Sequence, residues 1–275
     1  MPRGSGRSCG RPSPRKGRGG ELSPGCARSP RGAGAGPARG GFAVTAWRRP
    51  GPHPPSLTPL TPYHAPHGPL RVFHRDAALL VVDKPAGLLA VPGKPPGAED
   101  CLLARLVAAD DAVRLVHRLD RDTSGVMVFA RTAAAQRHLG LQFERRHVAK
   151  RYVALVAGRP AAAGGVIDLP LAADWPRRPL QKVCHATGKP ARTRWEVLPP
   201  LPGQPAGATR VALHPETGRS HQLRVHMLAL GHPILGDPLY APETPLPRLM
   251  LHAAGLSLRH PEGGAERAFA SPSPF

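Results

Sequence analysis

The residues best placed to do chemistry lie in one short segment, His117-Arg118-Leu119-Asp120-Arg121-Asp122-Thr123-Ser124-Gly125, between an apolar run and a strand expected from Val126. Alternating basic and acidic side chains ending in Thr-Ser-Gly make poor helix and poor strand. The apolar flanks nevertheless anchor the loop at an edge of the core, where catalytic groups usually sit. A carboxylate held charged and oriented in such a loop can serve acid–base or nucleophilic chemistry. The partner that would hold it is Arg224. On a helix it lies about 100° from Leu223, at the rim of an apolar stripe, where its stem packs and its guanidinium reaches a cleft.

The elements that must position these groups follow from periodicity. Leu79 to Val82 reads as a strand, Val126 to Ala130 as a second and Tyr152 to Ala157 as a third. Between them, Asp100 is expected to cap a helix presenting Leu102, Leu103, Leu106 and Val107. Thr132 is expected to cap another, carrying Leu139 and Phe143. Val166 to Leu171, Arg192 to Val197 and Thr209 to Leu213 look like hairpin-connected strands. The last helix is expected from Ser220 to Leu230, with Ser220 as its cap and Leu223, His226, Met227 and Leu230 on one face. Its N-terminal turn, flanked by Arg219 and Arg224, could face an anion. Helices alternate with strands only in the first half, so the fold class is α+β, with a mixed, largely antiparallel sheet.

Composition narrows the partner. Lys and Arg number 38 against 18 Asp and Glu, a net charge of +20, which favours a polyanion such as nucleic acid. Residues 1–69 hold 14 glycines and 14 prolines and read as a disordered basic extension, leaving 70–275 as the catalytic domain. Prolines and glycines at that density oppose the amphipathic helix of an organellar leader. Cys9, Cys26, Cys101 and Cys184 form no CxxC pair, and neither an HExxH pattern nor paired Cys and His ligands occur, so no metal is expected. No apolar run approaches the roughly 20 residues that span a bilayer. A soluble, cytoplasmic protein without a membrane partner is the expectation.

The loop matches the pattern HRLDxxTSG, the catalytic motif of the RluA-type pseudouridine synthases, at all seven fixed positions. Chance would produce that about once in 10⁹ starts at even residue usage. The resemblance continues through Leu80-Val81-Val82-Asp83-Lys84-Pro85-Ala86-Gly87-Leu88, Lys150-Arg151-Tyr152-Val153-Ala154, Thr217-Gly218-Arg219-Ser220-His221-Gln222-Leu223-Arg224-Val225-His226 and Gly231-His232-Pro233-Ile234 with Gly236-Asp237. Asp174-Trp175-Pro176 to Gln181-Lys182-Val183-Cys184 and Thr187-Gly188-Lys189-Pro190-Ala191 are similar to the subtype that modifies both large-subunit rRNA and tRNA anticodon stem-loops.

That resemblance implies the pseudouridine synthase fold and an enzyme that detaches uracil from C1′, turns it and rejoins it through C5. The substrate supplies every atom of the product, so no cofactor is expected. Asp120 would be the nucleophile or base. An ion pair with Arg224 would lower its pKa by about 1 to 3 units and aim its oxygen. Tyr152 would stack on a flipped-out uracil and handle the proton at C5, Leu223 would close the other side, and Arg118 would fill the gap left in the RNA. His117, Thr123, Lys84, Arg219 and His221 would line the substrate site. Asp122 occupies a free position of the pattern. Asp237 is expected as a turn residue, with buttressing of the site as its alternative. The partners would be rRNA and/or tRNA, with no obligate protein partner and a monomeric enzyme.

Two other functions compete. A catalytically silent RNA-binding or ribosome-assembly protein would need the charge but no precisely placed acid, and the intact Asp120, Tyr152 and Arg224 set weighs against it. A glycosidase-like hydrolase would attack the same sugar carbon but usually needs two opposed carboxylates, and Asp120 has no evident partner acid.

Overall fold

The computed structural model describes residues 63–94, 97–244 and 246–275. In chain order the elements are β1 (Arg71–Arg75), β2 (Leu79–Lys84), α1 (Leu102–Ala109), β3 (Arg114–Leu115), β4 (Ser124–Ala130), α2 (Ala133–Glu144), β5 (Ala149–Ala157), β6 (Gly164–Asp168), β7 (Leu171–Ala173), β8 (Gln181–Val183), β9 (Arg192–Val197), β10 (Ala208–Pro215), α3 (Gln222–Ala229), β11 (Leu251–Arg259) and β12 (Glu266–Ala270). The main sheet runs β1-β2-β4-β11-β5-β10-β9-β6, with β12 on β11 and β3 on β4, while β7 and β8 form a separate ribbon. Among the described strands only β4 and β11 pair in parallel, which is the mixed, mostly antiparallel α+β sheet expected.

Alternation along the strands builds the core on both faces of this sheet. Val81, Val126 and Val128 pack toward Ala135 and Leu139 of α2, whereas Leu80, Val82, Met127 and Phe129 pack toward Leu102 and Leu106 of α1. Every residue of β4 is buried, which is why its sequence is one apolar run rather than an alternating one. Farther along, Leu223 and Met227 of α3 cover Ala154, Val156, Val211 and Leu213 of β5 and β10.

Several expectations need correction. Cys101, not Asp100, caps α1, its Sγ accepting from the Ala104 N–H at 3.4 Å, because Asp100 is engaged by Arg105 at 2.7 Å. Thr132 does cap α2. The segment from Val166 to Leu171 divides between β6 and β7, which belong to different sheets. Helix α3 starts two residues after Ser220, behind His221 in the left-handed region (φ 52°). The expected disorder of residues 1–62 lies outside the described residues. Residues 63–69, grouped with that head by composition, already pack on the domain: Tyr63 Oη donates to the Asp100 carbonyl at 2.7 Å, and Arg105 donates to that of Pro66 at 2.9 Å.

The loop before β4 is held from several sides. A turn closes with the Thr123 N–H donating to the Asp120 carbonyl at 3.2 Å. Lys84, fully buried at the end of β2, donates to the carbonyls of Pro85, Leu88 and Arg121 at 2.9, 2.6 and 2.8 Å. His117 accepts from the Val128 N–H through Nε2 at 3.1 Å and stacks on Phe143 with ring centroids 4.6 Å apart, so its neutral ring carries the proton on Nδ1. Ser124 meets His252 Nδ1 at 2.7 Å and accepts from Arg248 at 2.5 Å. Gly125 has φ +114°, and a Cβ there would lie 2.2 Å from the Ala253 carbonyl oxygen across the parallel β4–β11 contact.

Two outcomes follow from this packing. Gly125→Ala should lower unfolding stability by at least about 2 kcal/mol through backbone strain and overpacking, read by chemical denaturation. A loss below about 0.5 kcal/mol would show that β4 and β11 need no such close approach. Burial, then the Lys150 charge, push the His117 imidazole down to about 3. The unfolded chain therefore takes up a proton below about 6.5 that the folded chain resists, and stability should fall as pH drops from there toward 3, by up to about 1.4 kcal/mol per pH unit. In urea melts, His117→Asn should lose less stability than the parent between pH 6.5 and 4.5, and equal pH slopes would contradict this.

Candidate active site

The edge of the sheet where β4, β11, β5 and β10 lie side by side meets the N-terminal end of α3, and between them opens a cavity of about 540 Å³. That volume suits one nucleotide unit. Asp120 and Arg118 enter from the loop before β4, Tyr152 from β5, Leu223 and Arg224 from α3, and Arg219 and His221 from the turn before it. His117 and Thr123 complete the placement of the residues picked out by sequence. Lys84 does not reach this wall. It ties the backbone of the Asp120 loop from behind, and its ammonium is pushed down to about 7 by burial, against the pull of Asp122 and Asp120. Five basic side chains line the cavity, Arg118, Arg146, Lys150, Arg219 and Arg224, against the acids Asp120, Glu144 and Glu216.

Asp120 is 27 % exposed, and its carboxylate makes no hydrogen bond to another described residue, so its oxygens are open to the cavity. Arg224 Nη1 stands 3.7 Å from Asp120 Oδ2, an ion-pair distance longer than a hydrogen bond. The closer partner of Arg224 is Asp237, which accepts from Nε at 2.7 Å and from Nη2 at 2.6 Å. The expected ion pair of Arg224 with Asp120 is therefore present, but the hydrogen bonds of Arg224 go elsewhere. A second carboxylate takes the bidentate contact and leaves one edge of the guanidinium facing Asp120. Arg224 and Asp237 are 2 % and 1 % exposed, and Asp237 also accepts from the N–H groups of Leu239 and Tyr240 at 2.9 and 3.1 Å. It is therefore both turn residue and buttress. Gly236 (φ +67°), where a Cβ would meet the Arg248 carbonyl oxygen at 2.1 Å, sets that turn.

Tyr240 is a residue that sequence reasoning missed. Its ring faces the Arg224 guanidinium at 5.1 Å. Its hydroxyl accepts from the Gln181 N–H at 2.8 Å and shares a hydrogen bond with His221 Nδ1, also at 2.8 Å. Burial holds the His221 imidazole below its ordinary value despite Asp120 nearby. Burial likewise pushes the Tyr152 phenol well above its usual range, with the Asp120 charge adding to it. Tyr152 therefore offers a neutral ring, and its hydroxyl makes no hydrogen bond to another described residue.

Histidines that might have suggested a metal are accounted for otherwise. His226 meets Thr193 Oγ1 at 2.9 Å and the Leu169 carbonyl at 3.1 Å, and His232 donates to the Ala157 carbonyl at 2.8 Å. Asp122 is engaged by its neighbour Arg121 at 2.9 and 3.1 Å, turned away from the cavity.

Comparison with known proteins identifies the family. The model of the RNA pseudouridylate synthase family matches residues 78–229. The chain is 51 % identical over 217 residues to "Dual-specificity RNA pseudouridine synthase RluA" of Escherichia coli O6:H1, covering 78 % of this chain and 98 % of that protein. It is 46 % identical over 220 residues to the protein of the same name from Pasteurella multocida, covering 78 % and 99 %. Among solved structures, human RNA pseudouridylate synthase domain containing 1 superposes with a TM-score of 0.65 at 29 % identity, covering 77 % of this chain and 87 % of that one. The human domain-containing-4 protein gives 0.58 at 26 %, covering 74 % and 88 %. With a nucleotide-sized basic cavity around an open carboxylate, and relatives matched over nearly their whole length, the chain belongs to the RNA pseudouridylate synthase family, of the RluA type, whose members isomerise uridine in RNA.

Proposed function

We propose that this enzyme converts specific uridines of large-subunit (23S) rRNA, of tRNA anticodon stem-loops, or of both, with Asp120 acting at the sugar carbon of a flipped-out uridine. The observation that carries this is the Asp120 carboxylate, unbonded and open to a cavity that Tyr152 and Arg224 also line. The dual-specificity name of the relatives supports the pair of RNA classes. In the reaction the N1–C1′ bond breaks, a C5–C1′ bond forms, C5 loses its proton and N1 gains one. Atoms balance within the substrate, and no cofactor is called for.

Asp120 attacks C1′ or deprotonates the ribose, and Arg224, anchored by Asp237, keeps its carboxylate oriented. Tyr152 stacks on the extruded uracil, a contact worth about 1 to 3 kcal/mol against the few kcal/mol lost in unstacking. The raised pKa of its phenol favours stacking and hydrogen-bond donation over direct proton abstraction from C5. Leu223 closes the other side of the base. Arg118, exposed at the cavity mouth, fills the gap left in the RNA. Arg219 and His221 contact the substrate from the turn before α3, and His117 and Thr123 hold the loop that carries Asp120. Action on rRNA or tRNA places the enzyme in the cytoplasm in this reading; among the described residues no helix is long and apolar enough to cross a membrane. The same reading makes the enzyme a monomer, and residues 1–62, ahead of the packed segment 63–69, serve as a basic extension of the catalytic domain.

Release of tritium from RNA labelled at uridine C5 tests the assignment. The parent should release it, Asp120→Asn should lose release by more than about 10³-fold while still binding RNA, and Asp122→Asn should stay within about threefold of the parent. Full activity in Asp120→Asn would remove the assigned residue, and an abasic product would indicate a hydrolase.

A further inference from the structure

Outside the cavity, one aromatic side chain is held in water. Trp175 is 68 % exposed, on the turn that joins β7 to β8. An indole left in solvent forgoes the burial that normally stabilises it, so a rigid exposed one marks a binding surface. Rigidity here comes from Asp174, which is buried and accepts from Arg177 Nε at 2.6 Å and Lys182 Nζ at 3.3 Å. The turn is closed further by the Arg177 N–H donating to the Asp174 carbonyl and the Leu180 N–H to that of Arg177, both at 2.9 Å. On one face of the indole lies the Arg178 guanidinium, 3.2 Å from the ring centroid. With that guanidinium in place the residue still keeps 68 % of its surface exposed, and no second ring or cation contact to it is found among the described residues.

This hairpin is joined to the wall of the cavity. Gln181 of β8 donates to Tyr240, whose hydroxyl is hydrogen-bonded to His221, a cavity-lining residue. Val183 of β8 packs with Val225 of α3 in a small apolar cluster that also holds Leu171 and Ala191. These contacts fix the Trp175 turn, with Arg177, Arg178 and Lys182 on it, relative to the wall of the cavity.

We infer that Trp175 and Arg178 form a second nucleobase site, in which the exposed indole stacks on an unpaired base of the RNA substrate while the neighbouring cations meet its phosphates. A stacked base on an arginine-backed indole combines the two contacts that single-stranded RNA offers, a π-face and a charge. The inference rests on RNA being the substrate and not on which residue performs the isomerisation.

The test uses the full-length protein and a synthetic RNA hairpin with a tRNA anticodon stem-loop sequence, and reads Kd by fluorescence anisotropy at several salt concentrations. Loss of one stacking contact predicts that Trp175→Ala weakens binding by about 5- to 100-fold, whereas Trp175→Phe, which keeps an aromatic face, stays within about threefold of the parent. Trp175→Ala removes no charge, so the slope of log Kd against log salt should be unchanged; Arg178→Ala should lower it by about 0.7. The single-turnover rate at saturating RNA should be the same in Trp175→Ala as in the parent. Binding of Trp175→Ala within twofold of the parent would overturn the site. So would equal losses in the Ala and Phe variants, which would point to a structural role. A hairpin bound by the parent but not isomerised counts against the proposed function and leaves the binding comparison intact.

Discussion

The architecture of the site depends on one buried cation. Arg224 is almost wholly removed from water, and an unpaired guanidinium there would be strongly destabilising, so the fold surrounds it with acceptors. Asp237 takes two of its donors in a bidentate contact, and the Tyr240 ring faces it at 5.1 Å. Because Asp237 is itself satisfied by two backbone N–H groups of the following turn, the pair cannot swing as a unit. The edge of the guanidinium left over points to Asp120 at 3.7 Å. A carboxylate that is fixed by charge rather than by a direct hydrogen bond keeps its lone pairs available to a substrate, which is what a nucleophile or base requires.

The loop bearing Asp120 is constrained from the opposite side by groups that never touch the cavity or only border it. Lys84 gathers three carbonyls, matching the three N–H donors of an ammonium, and one of them belongs to Arg121, next to Asp120. His117 bonds the backbone of β4, Ser124 is gripped by His252 and Arg248, and Gly125 lets β4 approach β11. Much of the apparent motif is therefore scaffolding. Its alternation of charge and small residues reflects the need to hold one carboxylate at a sheet edge without covering it.

The sequence revealed those parts of the site in which local chemistry and local structure coincide. The Asp120 loop stood out because polar residues were framed by apolar runs, and Thr132 and the Arg192–Val197 strand obeyed ordinary capping and alternation rules. Asp237 was legible as a turn residue, with buttressing as its alternative, but its pairing with Arg224 and the part played by Tyr240 exist only once the turn after Gly236 is folded against α3, a relation that no spacing rule encodes. The start of α3 was misplaced because Gln222 overrides the capping preference of Ser220. Its amide accepts from Thr217 Oγ1 and the Arg219 N–H and donates to Thr193 and the Arg192 carbonyl, which fixes the helix start and puts His221 in a left-handed conformation. Strand β11 went unseen because His252-Ala253-Ala254-Gly255 has little strand propensity, and its position between β4 and β5 comes from sheet pairing alone.

The most direct measurement is the single-turnover rate of uridine conversion by Asp237→Asn at saturating RNA hairpin, with hairpin affinity measured in parallel. This substitution preserves shape but removes the charge that anchors Arg224 and replaces one of its two carboxylate acceptors with an amide donor. If the guanidinium must be held by Asp237 to orient Asp120, the rate falls by about 10- to 100-fold while affinity stays within about twofold. A rate equal to that of the parent would contradict the account.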